Sequence, residues 1–198
     1  MNIIDISTII SLVIFYVLFI GRTILLYKRG IKVWVIGTSS KKILEIILEN
    51  ILFPVLILWS IFLIITALHI NTPTIISNIL INIVWLKYIG IMFCYIGLII
   101  FLLALISFGK AWRIGIDENN SNELVTSGIF RYSRNPIFLF LDLYFVGIML
   151  VYPNIIFIIA AIGTIIGMHL RILREEKFLL NKFGEKYIEY KNKTGRYI

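Results

Sequence analysis

The chain alternates long apolar runs with short polar or charged stretches. The runs cover approximately Ile6–Tyr27, Ile51–Ile70, Ile79–Ile106, Pro136–Val151 and Asn154–Leu170. A helix needs ~20 apolar residues to cross the ~30 Å hydrocarbon core of a bilayer. The first three runs meet that length. The last two are shorter and are separated only by Tyr152 and Pro153, which predicts a tight helical hairpin with one arm that stops short. The pattern predicts an all-α integral membrane bundle of about five transmembrane helices with a cytosolic C-terminal helix. No internal repeat is visible. A single membrane domain over residues 1–198 is expected, with an N-terminal three-helix part (1–106) and a more polar part (107–198).

Composition agrees with that reading. Hydrophobic residues make up 60% of the 198 residues and charged residues 15%. Soluble domains average roughly 45–50% apolar and about 25% charged. A water-soluble fold of this length could not hide so much apolar surface. The run from Ile9 to Leu26 is longer than a signal-peptide core and lacks a basic segment ahead of it, so it is read as a membrane helix.

The net charge of +8 is gathered beside the apolar runs. Attraction to anionic lipid and control of topology account for it, and nucleic acid is not an expected partner. Lys28, Arg29, Lys32, Lys41 and Lys42 follow the first run, whereas "NTPTIISN" after the second carries no charge. The third connection holds Lys110, Arg113, Arg131 and Arg134, and the tail is basic throughout. Positive residues stay inside, so the first and third connections and the C-terminus are expected in the cytoplasm and the N-terminus outside.

Smaller features are read structurally. "TSSKKILEIILEN" (Thr38–Asn50) predicts a short amphipathic surface helix leading into the second span. Trp59, Trp85 and Tyr88 read as packing or interfacial aromatics. Cys94, the lone cysteine, reads as an inert packing thiol. His69 and His169 fall at span boundaries, and no metal site is expected. Gly163 and Gly167 have small-residue spacing, but no such stripe dominates a helix.

The remaining polar residues collect in "FGKAWRIGIDENNSNELVTSGIFRYSRNP" and "MHLRILREEKFLLNKFGEKYIEYKNKTGRY". Both belong to the same predicted side of the membrane. Gly128 permits a backbone conformation that other residues resist. Pro136 suits the first turn of a helix, with Asn135 as its N-cap. Arg171 and Glu175, at i and i+4, share a helical face. That pair is either a solvated stripe or part of a site. Asp142 lies about 9 Å along a helix from Pro136, a depth at which a carboxylate is a candidate for function.

Together, "ELVTSGIFRYSRNPIF", the hairpin and "RILREEKFLLNKFGEKYIEYKNKTGRY" resemble the isoprenylcysteine carboxyl methyltransferase family and its phospholipid-methyltransferase relatives. The likeness covers roughly residues 107–196. It implies a membrane enzyme that transfers a methyl group from S-adenosyl-L-methionine to a lipophilic or amphiphilic acceptor: a carboxylate, amine or thiol. By the resemblance, Asn122, Glu123, Leu124 and Val125 line the approach to the cofactor. Phe130 is an aromatic wall, and Asn135, Pro136, Ile137 and Phe138 form the turn around it. Glu175, with Glu176 beside it, binds cofactor polar groups, Arg171 orients the acceptor, and Asp142 is a further catalytic candidate. The loop with Arg131 and Arg134 is thereby expected to hold the cofactor. Two positions depart from the family pattern: Asn135 replaces a frequent histidine, and Phe138 lacks a hydroxyl. Two other readings stand beside this one, an NADPH-dependent enzyme similar to sterol reductases and a non-catalytic membrane protein that retains the fold.

Overall fold

The structure, a computed structural model, describes residues 1–31, 43–70, 78–109 and 124–198, with side chains in the second of these stretches from Pro54 onward. Lys32, Lys41, Lys42, Lys110, Arg113, Asn122 and Glu123 lie outside the described residues, as do Thr38–Lys42 and most of "NTPTIISN". The helices are α1 (Ile3–Lys28), α2 (Ile43–Ala67), α3 (Val84–Phe108), α4 (Pro136–Val151), α5 (Ile155–Phe183) and α6 (Glu185–Lys193), with a 3₁₀ turn at Gly128–Arg131. Three of them, α1, α3 and α5, are long and apolar enough to cross a bilayer, and Pro54–Ala67 and Pro136–Val151 are shorter apolar helices. The bundle is the expected all-helical membrane architecture.

Two boundaries differ from the sequence pattern, each for a local reason. Ile43–Asn50 is not a separate surface helix but the first turns of α2, since no glycine or proline interrupts it before Pro54, which the helix also carries through. The third helix begins at Val84 and not near Ile79. The backbone N–H of Leu80 donates to the carbonyl of Pro153 at 2.9 Å, which fastens this irregular stretch onto the α4–α5 turn. The fifth helix is long: its 29 residues run from the apolar span through Leu170 into the charged stretch. No helix breaker occurs until Gly184, whose φ of +52° ends α5 and starts α6. At 1.5 Å per residue α5 spans roughly 43 Å and the 16-residue α4 roughly 24 Å.

Helix α3 packs on α4 through glycines that the sequence pattern did not single out. A Cβ placed on Gly90 would lie 2.5 Å from the carbonyl oxygen of Gly147, and one on Gly147 would lie 2.7 Å from Cys94 Sγ. Gly97 faces Phe140 in the same seam. Close backbone approach supplies the van der Waals contact that drives helix association in lipid, where the hydrophobic effect gives little. Gly163 and Gly167 instead face open space. Cys94 is buried in the seam as a packing residue. Trp59 stacks on Phe145 with centroids 4.4 Å apart, inside the core, whereas Trp85 and Tyr88 are exposed.

Hydroxyl bridges fix how α1 sits against its neighbours. Ser11 meets the Tyr144 hydroxyl at 3.1 Å, Tyr16 meets Ser60 at 2.8 Å, and Tyr95 donates to the Ser7 carbonyl at 3.2 Å. At the end of the bundle holding the α4–α5 turn, Asp5 is a buried junction. It forms a capping box with Asn2, accepts from the Tyr152 hydroxyl at 2.9 Å and pairs with His69 Nε2 at 2.9 Å. His69 is therefore a partner of α1 as well as a boundary residue.

Gly147→Ala should force the α3–α4 backbones apart and cost on the order of 1–3 kcal/mol. Gly163→Ala should leave stability within about 0.5 kcal/mol. Thermal unfolding of the two variants in one detergent separates these outcomes.

Candidate functional site

Two charged segments distant in sequence meet at the other end of the bundle. Gly128, at φ +62°, allows the chain to turn over the end of α3, where Ser107 leaves no room for a Cβ. The Ile129 N–H donates to Ser107 Oγ at 3.2 Å. The 3₁₀ turn that follows points Phe130 inward, edge-on to Phe108 with centroids 4.6 Å apart. Pro136 then occupies the first turn of α4, as expected.

Glu176, projecting from α5, joins the segments. Its carboxylate lies 3.0 Å from Arg134 Nη1 and accepts from Arg196 Nε and Nη2 at 3.0 and 2.9 Å. The Arg134 and Glu176 side chains are only 7% and 10% exposed, so that pair is nearly dry, while Arg196 is 34% exposed. The Arg196 guanidinium is held more firmly protonated than usual, first by its hydrogen bond to Glu176. Arg134 also donates to the Tyr187 hydroxyl at 3.2 Å, and its backbone N–H donates to the Gly195 carbonyl at 3.0 Å. The Tyr190 hydroxyl donates to the Phe130 carbonyl at 2.7 Å, and Thr194 Oγ1 donates to the Arg131 carbonyl at 3.4 Å. The tail thus lies along the 3₁₀ turn and seals it.

These contacts change several expected roles. Asn135 stands at the N-cap position, but its side chain makes no capping bond. Its Nδ2 instead donates to the Arg196 carbonyl at 3.1 Å. That carbonyl takes up the amide, so Asn135 acts as a brace for the tail. Arg134 likewise points to Glu176. The Phe130 ring is buried against Phe108. Leu124, Val125, Ile137 and Phe138 are half-buried at the same end of the bundle. Arg171 Nε pairs with Glu175 Oε1 at 3.2 Å, both side chains 29% exposed.

Sequence reasoning missed the junction made by Arg134 and Arg196. Arg134 read as part of a cofactor-holding loop and Arg196 as a topology marker, and nothing in a basic tail sets one guanidinium apart from the rest. Tyr187 and Tyr190, three residues apart and therefore on one face of α6, were the available signal. Both are buried clasps. His169 lies within α5, and its Nδ1 is 2.9 Å from the Tyr197 hydroxyl.

With this geometry in place, the comparisons with known proteins can be read. The chain belongs to the phospholipid methyltransferase family, whose model matches residues 85–186. That match takes in α3 as well, one helix earlier than the motifs alone. Among curated proteins, the chain is similar to protein-S-isoprenylcysteine O-methyltransferase from Tribolium castaneum, 26% identical over 114 residues, covering 56% of this chain and 41% of that protein. The Xenopus laevis protein of the same name is 28% identical over 116 residues, covering 57% and 40%. The Saccharomyces cerevisiae one is 31% identical over 81 residues, covering 39% and 33%. The chain therefore spans about two fifths or less of the length of these relatives.

Two outcomes test the junction. Glu176→Ala leaves the buried Arg134 without its counter-charge and should cost about 3 kcal/mol, read as a fall in the unfolding midpoint. Burial pushes the Tyr190 hydroxyl up to about 12, against an ordinary value near 10. A raised folded value means the contribution of Tyr190 is intact below pH ~10, falls as the unfolded state ionises, and is gone above pH ~12. Tyrosinate absorbance should show a late-titrating fraction to which Tyr190 contributes with other buried tyrosines, and Tyr190→Phe should lower that fraction without abolishing it.

Proposed function

We propose that this protein is a membrane S-adenosylmethionine-dependent methyltransferase acting on a lipophilic or amphiphilic acceptor, with its site at the end of the bundle built around Glu176. The observation that carries this reading is the convergence of the 124–138 segment with α5 and the tail, beside a half-open Arg171–Glu175 pair. Membership of a methyltransferase family and the names of the relatives support it.

The residues present fit such a cofactor. Glu176 is neutralised by two arginines and serves the scaffold. Glu175 is partly exposed, and its carboxylate suits the amino group and positive charge of a sulfonium cofactor. Leu124, Val125, Ile137 and Phe138 offer a half-buried apolar border, while Phe130, Asn135 and Pro136 hold that border from behind. Asn122 and Glu123 complete the proposed approach. When bound, S-adenosylmethionine supplies an electrophilic methyl group.

The protein's part is alignment and exclusion of water. Arg171, four residues nearer the apolar span than Glu175 on α5, positions the polar group of the acceptor, and the acceptor's tail remains in the bilayer. The family position before Pro136 is occupied by an asparagine committed to the tail, so no proton transfer is assigned there. The charged end is placed in the cytoplasm, where the cofactor is available, and the N-terminus on the opposite side.

Calorimetric titration of the protein in detergent should show saturable S-adenosylmethionine binding. Glu175→Ala should weaken it at least about tenfold, the loss of one charge-assisted contact. Arg171→Ala should reduce methyl transfer to membrane lipid extracts far more than it reduces cofactor binding. Absence of binding at millimolar cofactor would overturn the proposal.

A further inference from the structure

Helices α1 and α2 leave a concave apolar face between them. The Asp5–His69 pair, 2.9 Å apart, ties the start of α1 to the residues just past α2, so the two helices run antiparallel. They meet again where the Tyr16 hydroxyl lies 2.8 Å from Ser60 Oγ. Ser60 donates in turn to the Leu56 carbonyl at 2.8 Å, so both hydroxyls are engaged within the protein. Around this contact runs a groove of about 650 Å³, walled by Val13, Val17 and Ile24 of α1 and by Ile57, Ile61 and Ile64 of α2. Gly21 belongs to the same wall, and a Cβ there would meet nothing within 4 Å.

The groove has the depth of a single leaflet. From Leu12 to Ile24 it follows α1 for roughly 18 Å at 1.5 Å per residue. One leaflet contributes about half of a ~30 Å hydrocarbon core, so the groove accommodates one acyl chain along its length. Lys28 stands four residues past Ile24, roughly 6 Å farther along the axis. Helical periodicity keeps it on the face of Val17, Gly21 and Ile24. It is exposed, and it has no acidic partner among the described residues. Arg22 identifies this end of the bundle: its guanidinium donates to the Gly109 carbonyl at the end of α3, where Ser107 also receives the Ile129 N–H. Lys28 is therefore at the same end as the Glu176 cluster.

We propose that the α1–α2 groove is a binding site for one anionic phospholipid, with an acyl chain between Val13 and Ile64 and the phosphate at Lys28. The two parts of the site do different work. The apolar walls retain a chain of any lipid, whereas a juxtamembrane lysine attracts an anionic headgroup in particular. A zwitterionic lipid brings its own balancing cation and gains less from Lys28. The groove shares no lining residue with the 124–138 segment or with Arg171 and Glu175, so this inference stands apart from the methyltransferase reading.

The test places the whole protein in phosphatidylcholine nanodiscs doped with a lipid that carries a diazirine in its acyl chain, either phosphatidylglycerol or phosphatidylcholine. Labelled peptides are mapped by mass spectrometry, with the exposed Ile159 and Ile166 of α5 as the reference surface. Relative to that surface, the phosphatidylglycerol probe should label the groove about fivefold more than the phosphatidylcholine probe. Lys28→Gln should bring the two probes to near parity while leaving labelling by the neutral one unchanged. Gly21→Leu, which extends a side chain into open space, should lower labelling of the groove by both. Equal labelling of the wild-type groove by the two probes would make it ordinary lipid contact and overturn the proposal. A preserved preference in Lys28→Gln, or unchanged labelling in a folded Gly21→Leu, would overturn it as well. If Gly21→Leu does not fold, the headgroup preference of wild type against Lys28→Gln decides the matter alone.

Discussion

One carboxylate held between two guanidiniums organises the charged end of this protein. Glu176 projects from α5, Arg134 from the segment before α4 and Arg196 from the tail. The Arg134 guanidinium is costly to move out of water, and the Glu176 carboxylate offsets that cost, while Arg196 closes the carboxylate from the more exposed side. The consequence is geometric, because three pieces of chain far apart in sequence are fixed at one point. The tyrosine clasps, the Asn135 brace and the backbone bond from Arg134 to Gly195 all depend on that alignment. Arg171 and Glu175 lie on the same helix as this junction, with Glu175 adjacent to Glu176 in sequence.

The opposite end is also gathered around a single carboxylate. A single buried acid, Asp5, gathers Asn2, Tyr152 and His69, tying the start of α1 to the ends of α2 and α4. Between the two ends the packing is apolar and close, with backbone contact at Gly90 and Gly147. Polar residues thus set where the helices begin and end, while small residues set how near they come. A site built at one end inherits rigidity from the seam without crowding from it.

The architecture was legible because hydropathy in a membrane chain has one strong cause: backbone groups must be satisfied within each helix. Pairing was not legible. The length of α5 was legible from helical spacing and from Gly184, although hydropathy alone stops at Leu170, where the composition turns charged. The glycine seam escaped because Gly90, Cys94 and Gly97 form a small-residue stripe only when cysteine is counted as small. Arg171 with Glu175 could be paired by spacing alone, but Glu176 with Arg196 could not, since local periodicity says nothing about a tail that doubles back. Asn135 was placed at the right position with the wrong partner, because capping is the local choice and the Arg196 carbonyl is a distant one.

The unequal arms of the hairpin bear on the surrounding lipid. Helix α4, at roughly 24 Å, falls short of a ~30 Å hydrocarbon core, whereas α5 exceeds it. Such mismatch is relieved by local thinning of the bilayer or by tilt. Thinning beside α4 draws the lipid–water boundary inward on the side where Asp142 lies. An amphiphile there brings its polar group closer to the charged end of the bundle while its chain stays in oil, so the membrane's own deformation lowers the barrier to delivery.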